Sequence, residues 1–257
     1  MKRVKKGVKP FLFIFAMALI LIIGYRNLEY NWQWYRVKPY LFIFENGRFL
    51  EGALLEGLWV TLKISFLGLF LSLFLGLLSA LARLSTSPVL RLLAWIYVET
   101  IRNTPLLIQI FVMYFVISPV LDISAFLSAV IALSLFEGAY SSEIIRSGVV
   151  NIPKGQHEAA QSLGLSVFAT YIKVIFPQML RQTLPMLAGQ SVSLIKDSAL
   201  VSTIAIADLT HQGQKIVSET FLSFEIWFTV AFCYLVITAG LSYIIRRVEY
   251  RYKFITP

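Results

Sequence analysis

Long apolar runs separated by short polar and basic segments make up most of this chain. Five runs come close to or exceed the roughly 20 residues that an α-helix needs to cross a bilayer, and a sixth is shorter. They span about 11–24, 53–82, 88–117, 124–147, 172–195 and 225–245. The pattern predicts an all-α, polytopic membrane bundle of six transmembrane helices.

The first apolar run follows a basic start, as in a secretory signal. Tyr25 and Arg26 come after it where a cleavage site has small residues, so we expect an uncleaved helix. It is long enough to span if Lys9 and Arg26 extend toward the headgroups.

Basic residues cluster before the first run, around 83–91, in 149–173 and in 246–253. Because cytoplasmic segments of membrane proteins are rich in Lys and Arg, we expect both termini in the cytoplasm. Segment 26–51 is then outside, and its aromatic residues are typical of an interfacial belt; they are Trp32, Trp34, Tyr35 and Tyr40.

Composition supports a membrane protein and excludes several other classes. The chain has 257 residues, is 58% hydrophobic and 14% charged, and has a mean hydropathy of +0.74. Its net charge of +9 follows from the orientation signals and does not indicate nucleic-acid binding.

Motifs for catalysis or cofactor binding are missing from the sequence. A single cysteine, Cys233, rules out an intrachain disulfide. No phosphate-binding loop, dinucleotide-binding turn or zinc motif occurs, and His157 and His211 stand alone in polar stretches, where we expect them to be solvated. We therefore expect no enzymatic activity, metal or cofactor in this chain.

Small residues recur every fourth position in the second run, at Gly68, Ser72, Gly76 and Ala80. Such a stripe lets another helix backbone approach closely. It predicts helix packing, either within this chain or against another subunit.

Charged residues occur inside the apolar runs, where they are costly and usually paired or functional. Glu99 and Arg102 are three residues apart, just before Pro105, whose missing N–H frees the carbonyl of Ile101. Two roles remain open for them, an ion pair that ties helices together or a part in substrate passage. The same alternatives apply to Glu137, Lys196 and Asp197.

A long segment between the fourth and fifth runs, 148–172, is too polar to cross the membrane and too regular for a linker. After the turn at 153–155, a short helix is expected over 156–163, ended by Gly164, with Ser166 capping the next helix. A rigid cytoplasmic helix-turn-helix favours a docking partner; the alternative is a helix that lies on the headgroups.

At these residues the chain resembles the membrane permease subunits of ATP-binding-cassette importers, in the branch that takes up polar amino acids. That family's loop has Glu-Ala-Ala, Gly four residues later, and Pro after a further thirteen; the matching positions are Glu158, Ala159, Ala160, Gly164 and Pro177. Other matching stretches are Arg102 with Thr104–Leu107, Gly138–Tyr140 with Glu143, and Ile152–Gln156. In a Lys-Asp-Thr-Ser-Leu stretch, Lys196, Asp197 and Leu200 match while Ser198 and Ala199 depart.

The resemblance implies a five-helix permease core at 53–250, preceded by an extra helix within 1–52 and followed by a tail at 251–257. It implies a dimer of permeases in a bacterial inner membrane, an extracytoplasmic binding protein, and cytosolic ATPase subunits that carry ATP and magnesium and grip the loop. Loop residues expected to couple to the ATPase are Lys154, Gly155, Glu158, Ala159, Ala160 and Gly164. Expected substrate-path residues are Glu99, Arg102, Thr104, Glu137, Lys196 and Asp197.

A polar amino acid of the glutamine or glutamate type is the expected substrate, since acidic and basic groups suit a zwitterion and the LTHQGQ stretch is similar to such systems. Two other classes are considered. An ion-coupled secondary transporter would explain the intramembrane charges but leaves the loop unexplained, and no internal repeat is visible. A membrane scaffold fits the composition but leaves Glu99, Arg102 and Asp197 without a purpose.

Overall fold

The computed structural model describes residues 15–17, 19, 30–45 and 47–253. The predicted first helix, 11–24, and the basic start of the chain fall almost wholly outside these residues. Two compact units are present, 1–36 and 37–257. In the described part of the first, Trp34–Arg36 forms a short 3-10 helix, and the rings of Trp32 and Trp34 stack with centroids 5.9 Å apart.

The second unit begins with a short helix and a β-hairpin. Helix α1 (Lys38–Leu41) leads into strand β1 (Phe42–Glu45), which pairs antiparallel with β2 (Arg48–Glu51) in the register Phe42↔Glu51. The sequence signal for this hairpin is the Asn46–Gly47 pair between apolar stretches. Gly47 has a φ of +72°, a value that glycine adopts readily.

Eight further helices follow among the described residues of this unit. They are α2 (Ala53–Leu84), α3 (Pro88–Arg102), α4 (Leu106–Leu121), α5 (Ala125–Val150), α6 (Lys154–Ser162), α7 (residues 167–197), α8 (Leu209–Thr220) and α9 (Ser223–Lys253). A 3-10 helix, Ser198–Ile204, continues α7. Single π-helical segments interrupt α4 at Val112–Ile117 and α7 at Tyr171–Ile175, the latter just before Pro177.

Within the described residues, α2, α5 and the Ser223–Arg247 part of α9 are long and apolar enough to cross a membrane, and the α3–α4 pair makes a fourth span if counted together. Helix α7 contains the predicted span 172–195, but polar residues such as Gln178, Arg181 and Gln190 lower its hydropathy. The described residues therefore have a helical membrane architecture, with three or four spans identified by length and hydropathy. The count of six spans stays a prediction.

The predicted span over 88–117 consists of two helices, α3 and α4. The chain bends by 109° between α3 and α4, at residues 103–105. Pro105 cannot donate a backbone hydrogen bond and disfavours helical geometry in the residue before it. Asn103 closes α3 by donating its side-chain N–H to the carbonyl of Glu99 at 2.8 Å.

The small-residue stripe of α2 packs inside the chain. A Cβ added to Gly76 would lie 2.7 Å from Cβ of Ser141 on α5, so no larger residue fits there without movement. Two hydroxyl contacts support the same packing, from Ser142 to Ser79 at 3.1 Å and from Ser134 to the carbonyl of Gly68 at 3.3 Å. Close contact between small residues replaces the hydrophobic effect as a source of helix association in lipid.

Candidate functional site

The corner between α3 and α4 is closed by a side chain that sequence reasoning missed. Gln109 donates its amide to the carbonyl of Ile101 at 2.8 Å and to that of Thr104 at 3.0 Å. The carbonyl of Ile101, which Pro105 leaves without a helical donor, therefore accepts a hydrogen bond from Gln109. This avoids the free-energy cost of a buried carbonyl without a hydrogen-bond partner. Beside the corner is a cavity of about 230 Å³ whose lining includes Thr104 and Gln109.

Arg102 is exposed at the end of α3 and stacks on α5. Its guanidinium carbon lies 5.3 Å from the ring centroid of Tyr140. Glu99 instead accepts from the Asn103 amide at 3.1 Å. The ion pairs among the described residues do not include one between Glu99 and Arg102, so the structure does not support the helix-tying pair.

Glu137, one helical turn from Tyr140 on α5, is buried with 1% of its surface exposed. Its carboxylate accepts from the side chain of Gln190 on α7 at 2.8 Å. The Asp197 carboxyl group, at the end of α7, lies within hydrogen-bond reach of it, and the charge of Lys196 acts on Asp197. We name Glu137, Gln190 and Asp197 the acidic cluster; sequence reasoning missed Gln190.

Acidic and basic groups therefore share one face of α5. Residues 137 and 140 are neighbours on a helix surface, so Glu137 of the acidic cluster and Tyr140, on which Arg102 stacks, are one turn apart on α5. Carboxylates suit an ammonium group and a guanidinium suits a carboxylate.

Ser198, one of the two positions that depart from the family pattern, is fully buried. Its hydroxyl donates to the carbonyl of Ile195 at 2.8 Å and accepts from Ser65 on α2 at 3.4 Å. This hydroxyl therefore helps to pack the 3-10 helix that follows α7 against α2.

Both histidines are partly buried, contrary to the expectation that they are solvated. The His157 ring meets Tyr171 edge-on at 5.8 Å, and Nδ1 of His211 is buried. The His211 backbone N–H donates to Asp208 at 2.9 Å, which caps α8. Burial raises the pKa of Asp208 to about 6.

Loop 148–172 has the predicted local chemistry. Helix α6 ends before Gly164, which has a φ of +75°, and the N–H of Leu165 donates to the carbonyl of Ala160 at 3.1 Å. Ser166 caps the next helix by accepting from the N–H of Ala169 at 3.3 Å. The helix begins at Lys154, two residues before the predicted start.

Contacts to the helices hold the loop in place. Ile152 packs in one cluster with residues of α2, α5 and α7, among them Ile145 and Ile175. Gln178 of α7 donates to the side chain of Gln156 at 3.1 Å. The loop is therefore packed against the helices through Ile152 and hydrogen-bonded to α7 through Gln156.

The exposed surface of the loop differs from expectation at one position. Lys154, Gly155, Glu158, Ala159 and Gly164 are exposed. Ala160 is 3% exposed and packs within the chain, so it does not offer the docking surface expected of it. The most exposed large apolar side chains of the loop are Leu163, Val167 and Phe168, with 82%, 68% and 78% exposed.

Helices of membrane-spanning length, a buried polar cluster and a structured loop are features of membrane transport proteins. The family of binding-protein-dependent transport system inner membrane components matches residues 72–254, and the chain belongs to it. It is thus the membrane component of an ATP-binding-cassette transport system, in which the partner ATPase hydrolyses ATP. This membership decides against the secondary transporter and the scaffold.

Known permeases and solved transporter structures are similar to this chain. The glutamine transport system permease protein GlnP of Escherichia coli (strain K12) is 42% identical over 203 residues, which cover 78% of this chain and 93% of the relative. The L-cystine transport system permease protein TcyB of Bacillus subtilis (strain 168) is 38% identical, covering 76% and 84%. A crystal structure of an amino acid ABC transporter with histidines is 37% identical with a TM-score of 0.73, covering 77% and 94%. The inward-facing MetNI methionine ABC transporter, at 18% identity and a TM-score of 0.69 over 78% and 96%, shares the fold.

Proposed function

We propose that this chain is the permease of an importer that moves a polar L-amino acid of the glutamine type across a bacterial cytoplasmic membrane. The observation that carries the proposal is the placement of the acidic cluster and Arg102 on one face of α5. Their opposite charges fit the two charged groups of an amino acid. Similarity to glutamine permeases favours that substrate.

We propose that the amino acid passes along charged and polar residues near this face of α5. The proposed substrate-path residues are Glu99, Arg102, Thr104, Glu137, Lys196 and Asp197. A second permease, either a copy of this chain or a related subunit, completes the pathway, and an extracytoplasmic binding protein delivers the amino acid. The two arrangements of the helices, open inward or outward, then alternate.

Energy enters through loop 148–172. An ATPase subunit that holds ATP and magnesium docks on the exposed residues Lys154, Gly155, Glu158, Ala159 and Gly164. Packing of Ile152 in one cluster with Ile145 of α5 and Ile175 of α7 lets a movement of that subunit reach both helices.

We expect radiolabelled glutamine to enter proteoliposomes that hold this permease with its ATPase and binding protein, only when ATP is present on the ATPase side. A sodium or proton gradient without ATP should give no uptake. Uptake driven by a gradient alone, or no transport of any polar amino acid with ATP, would contradict the proposal.

The proposed topology has six spans with both termini in the cytoplasm. A reporter fused after Pro257 should therefore be active in the cytoplasm, and one inserted next to Trp34 should be active outside. Alkaline phosphatase and a fluorescent protein, which are active on opposite sides, measure this directly. The reverse pattern would exclude the six-span arrangement.

A further inference from the structure

Three arginines line one cavity at the end of the bundle where α2 ends and α3 begins. The cavity has a volume of about 500 Å³, and its lining includes Arg83 of α2, Arg91 of α3 and Arg146 of α5. Leu92 and Trp95 of α3 form its apolar wall. We call this cavity the basic pocket.

Charge in the basic pocket is only partly neutralised. Glu143 pairs with both Arg83 and Arg146, so one carboxylate serves two guanidinium groups. Arg91 is exposed, and its side chain donates to the carbonyl of Thr86 at 3.4 Å. Three cations against one anion leave an excess of two positive charges, and the positive end of the α3 dipole lies beside them.

The pocket lies at the ends of helices of membrane-spanning length, where we expect lipid headgroups. Arg83 is in the last turn of α2, and Arg146 is four residues before the end of α5; both helices are of membrane-spanning length. Trp95 and Leu92 are 50% and 55% exposed. A tryptophan beside basic residues at a helix end is typical of the membrane–water interface.

This combination distinguishes the pocket from a protein-docking surface. No described residue of 154–166, where we propose that the ATPase docks, belongs to its lining. The apolar wall continues along α3 through Ile96, which is 46% exposed, so an acyl chain has a surface to lie on beside the charged group.

We propose that the basic pocket binds the phosphate headgroup of an anionic phospholipid, in the leaflet that this end of α2 reaches. The guanidinium groups of Arg91 and Arg146 contact the phosphate oxygens, for which Arg is well suited. The glycerol and acyl chains lie against Leu92 and Trp95. Basic pockets between membrane helices are a recurring form of lipid recognition.

Native mass spectrometry of the full chain, purified in a neutral detergent, tests the site with phosphatidylglycerol and phosphatidylcholine of identical acyl chains. We expect wild type to prefer phosphatidylglycerol. Arg91→Gln should weaken its binding about fivefold and Arg91→Gln with Arg146→Gln about 25-fold, since each arginine contributes about fivefold. The double variant leaves Arg83 to pair with Glu143.

The matched control is Arg181→Gln, which removes an exposed arginine of α7 outside the pocket and should bind like wild type. Thermal unfolding in phosphatidylcholine shows that each variant is folded; if the double variant unfolds, Arg91→Gln alone decides. Equal binding of the two lipids, or wild-type binding by Arg91→Gln, would overturn the proposal.

Two further measurements distinguish a lipid headgroup from a soluble anion and from a protein partner. Inorganic phosphate at about 10 mM should not displace phosphatidylglycerol, because the apolar wall adds affinity that free phosphate lacks; complete displacement would indicate a soluble-anion site instead. Phosphatidylglycerol should also stay bound when the ATPase is added. Its release would assign the pocket to a protein interface and refute the lipid site.

Discussion

Replacing Gly164 by valine is expected to lower amino-acid uptake at least tenfold while the permease still inserts in the membrane. Gly164 has a φ of +75°, a region that costs an L-residue roughly 1–2 kcal/mol and a β-branched residue more. No atom lies within 4 Å of an added Cβ, so the effect comes from the backbone and not from a clash. Uptake, ATP hydrolysis and co-purification of the ATPase measure the result.

Two matched variants isolate the backbone effect. Gly164→Asn should keep most of the uptake, because Asn tolerates positive φ better than other non-glycine residues. Gly189→Val also adds a side chain into open space, but its backbone has no positive φ, so it should be mild. Uptake by Gly164→Val equal to wild type would show that the loop does not need this turn.

Crosslinking locates the partner on the same loop. In a Cys233→Ser background, a cysteine at exposed Ala159 should crosslink to the ATPase. A cysteine at Ala160, which is 3% exposed, should not. The absence of any crosslink from Lys154 to Ser166, together with normal import by Gly164→Val, would contradict our assignment of the loop as the ATPase contact.

Arg102→Ala is expected to lower uptake at least tenfold while the transporter still assembles and hydrolyses ATP. Arg102 is exposed and stacks on Tyr140, an interaction of about 0.5–1 kcal/mol at exposed sites, so the fold does not depend on it. Asp197→Asn should act in the same direction by removing a charge from the acidic cluster. Uptake is compared with ATP hydrolysis and with assembly on size-exclusion chromatography.

Arg102→Lys is the matched control. It keeps the cation but loses the planar group that stacks and binds carboxylates in pairs, so it should retain part of the uptake. If Arg102→Ala fails to insert or assemble, Arg102 has a structural role and its assignment to the substrate path is wrong.

Local chemistry explains why parts of the fold were predictable. The positive φ at Gly164 and the cap at Ser166 depend on residues within one or two turns. The packing stripe of α2 was predictable as a surface for close approach, since its four-residue spacing is visible along the chain. Its partner α5 was not, because spacing does not specify what fills the facing groove.

Long-range contacts account for what sequence reasoning missed. Pro105 indicated a break, but the 109° bend accompanies packing of α4 on α5 and the Gln109 side chain, which reaches back eight residues to Ile101. The spacing of Glu99 and Arg102 allowed an ion pair that does not form. Arg102 stacks instead on the ring of Tyr140, 38 residues farther along the chain. Ala160 matched the family motif, yet its burial depends on the side chains packed around it.

The sequence by itself determined the membrane class, the helical periodicity and the loop signature, because hydrophobic length and turn chemistry are local properties. The tertiary structure alone decided which charges meet. It joined Glu137 of α5 to Gln190 and Asp197 of α7 and grouped Arg83, Arg91 and Arg146 around one pocket. Glu137 is more than 50 residues from Gln190 and Asp197, and Arg146 is more than 50 residues from Arg83 and Arg91. Only the packing of α2, α3, α5 and α7 brings such distant groups within the few ångströms over which hydrogen bonds and ion pairs act.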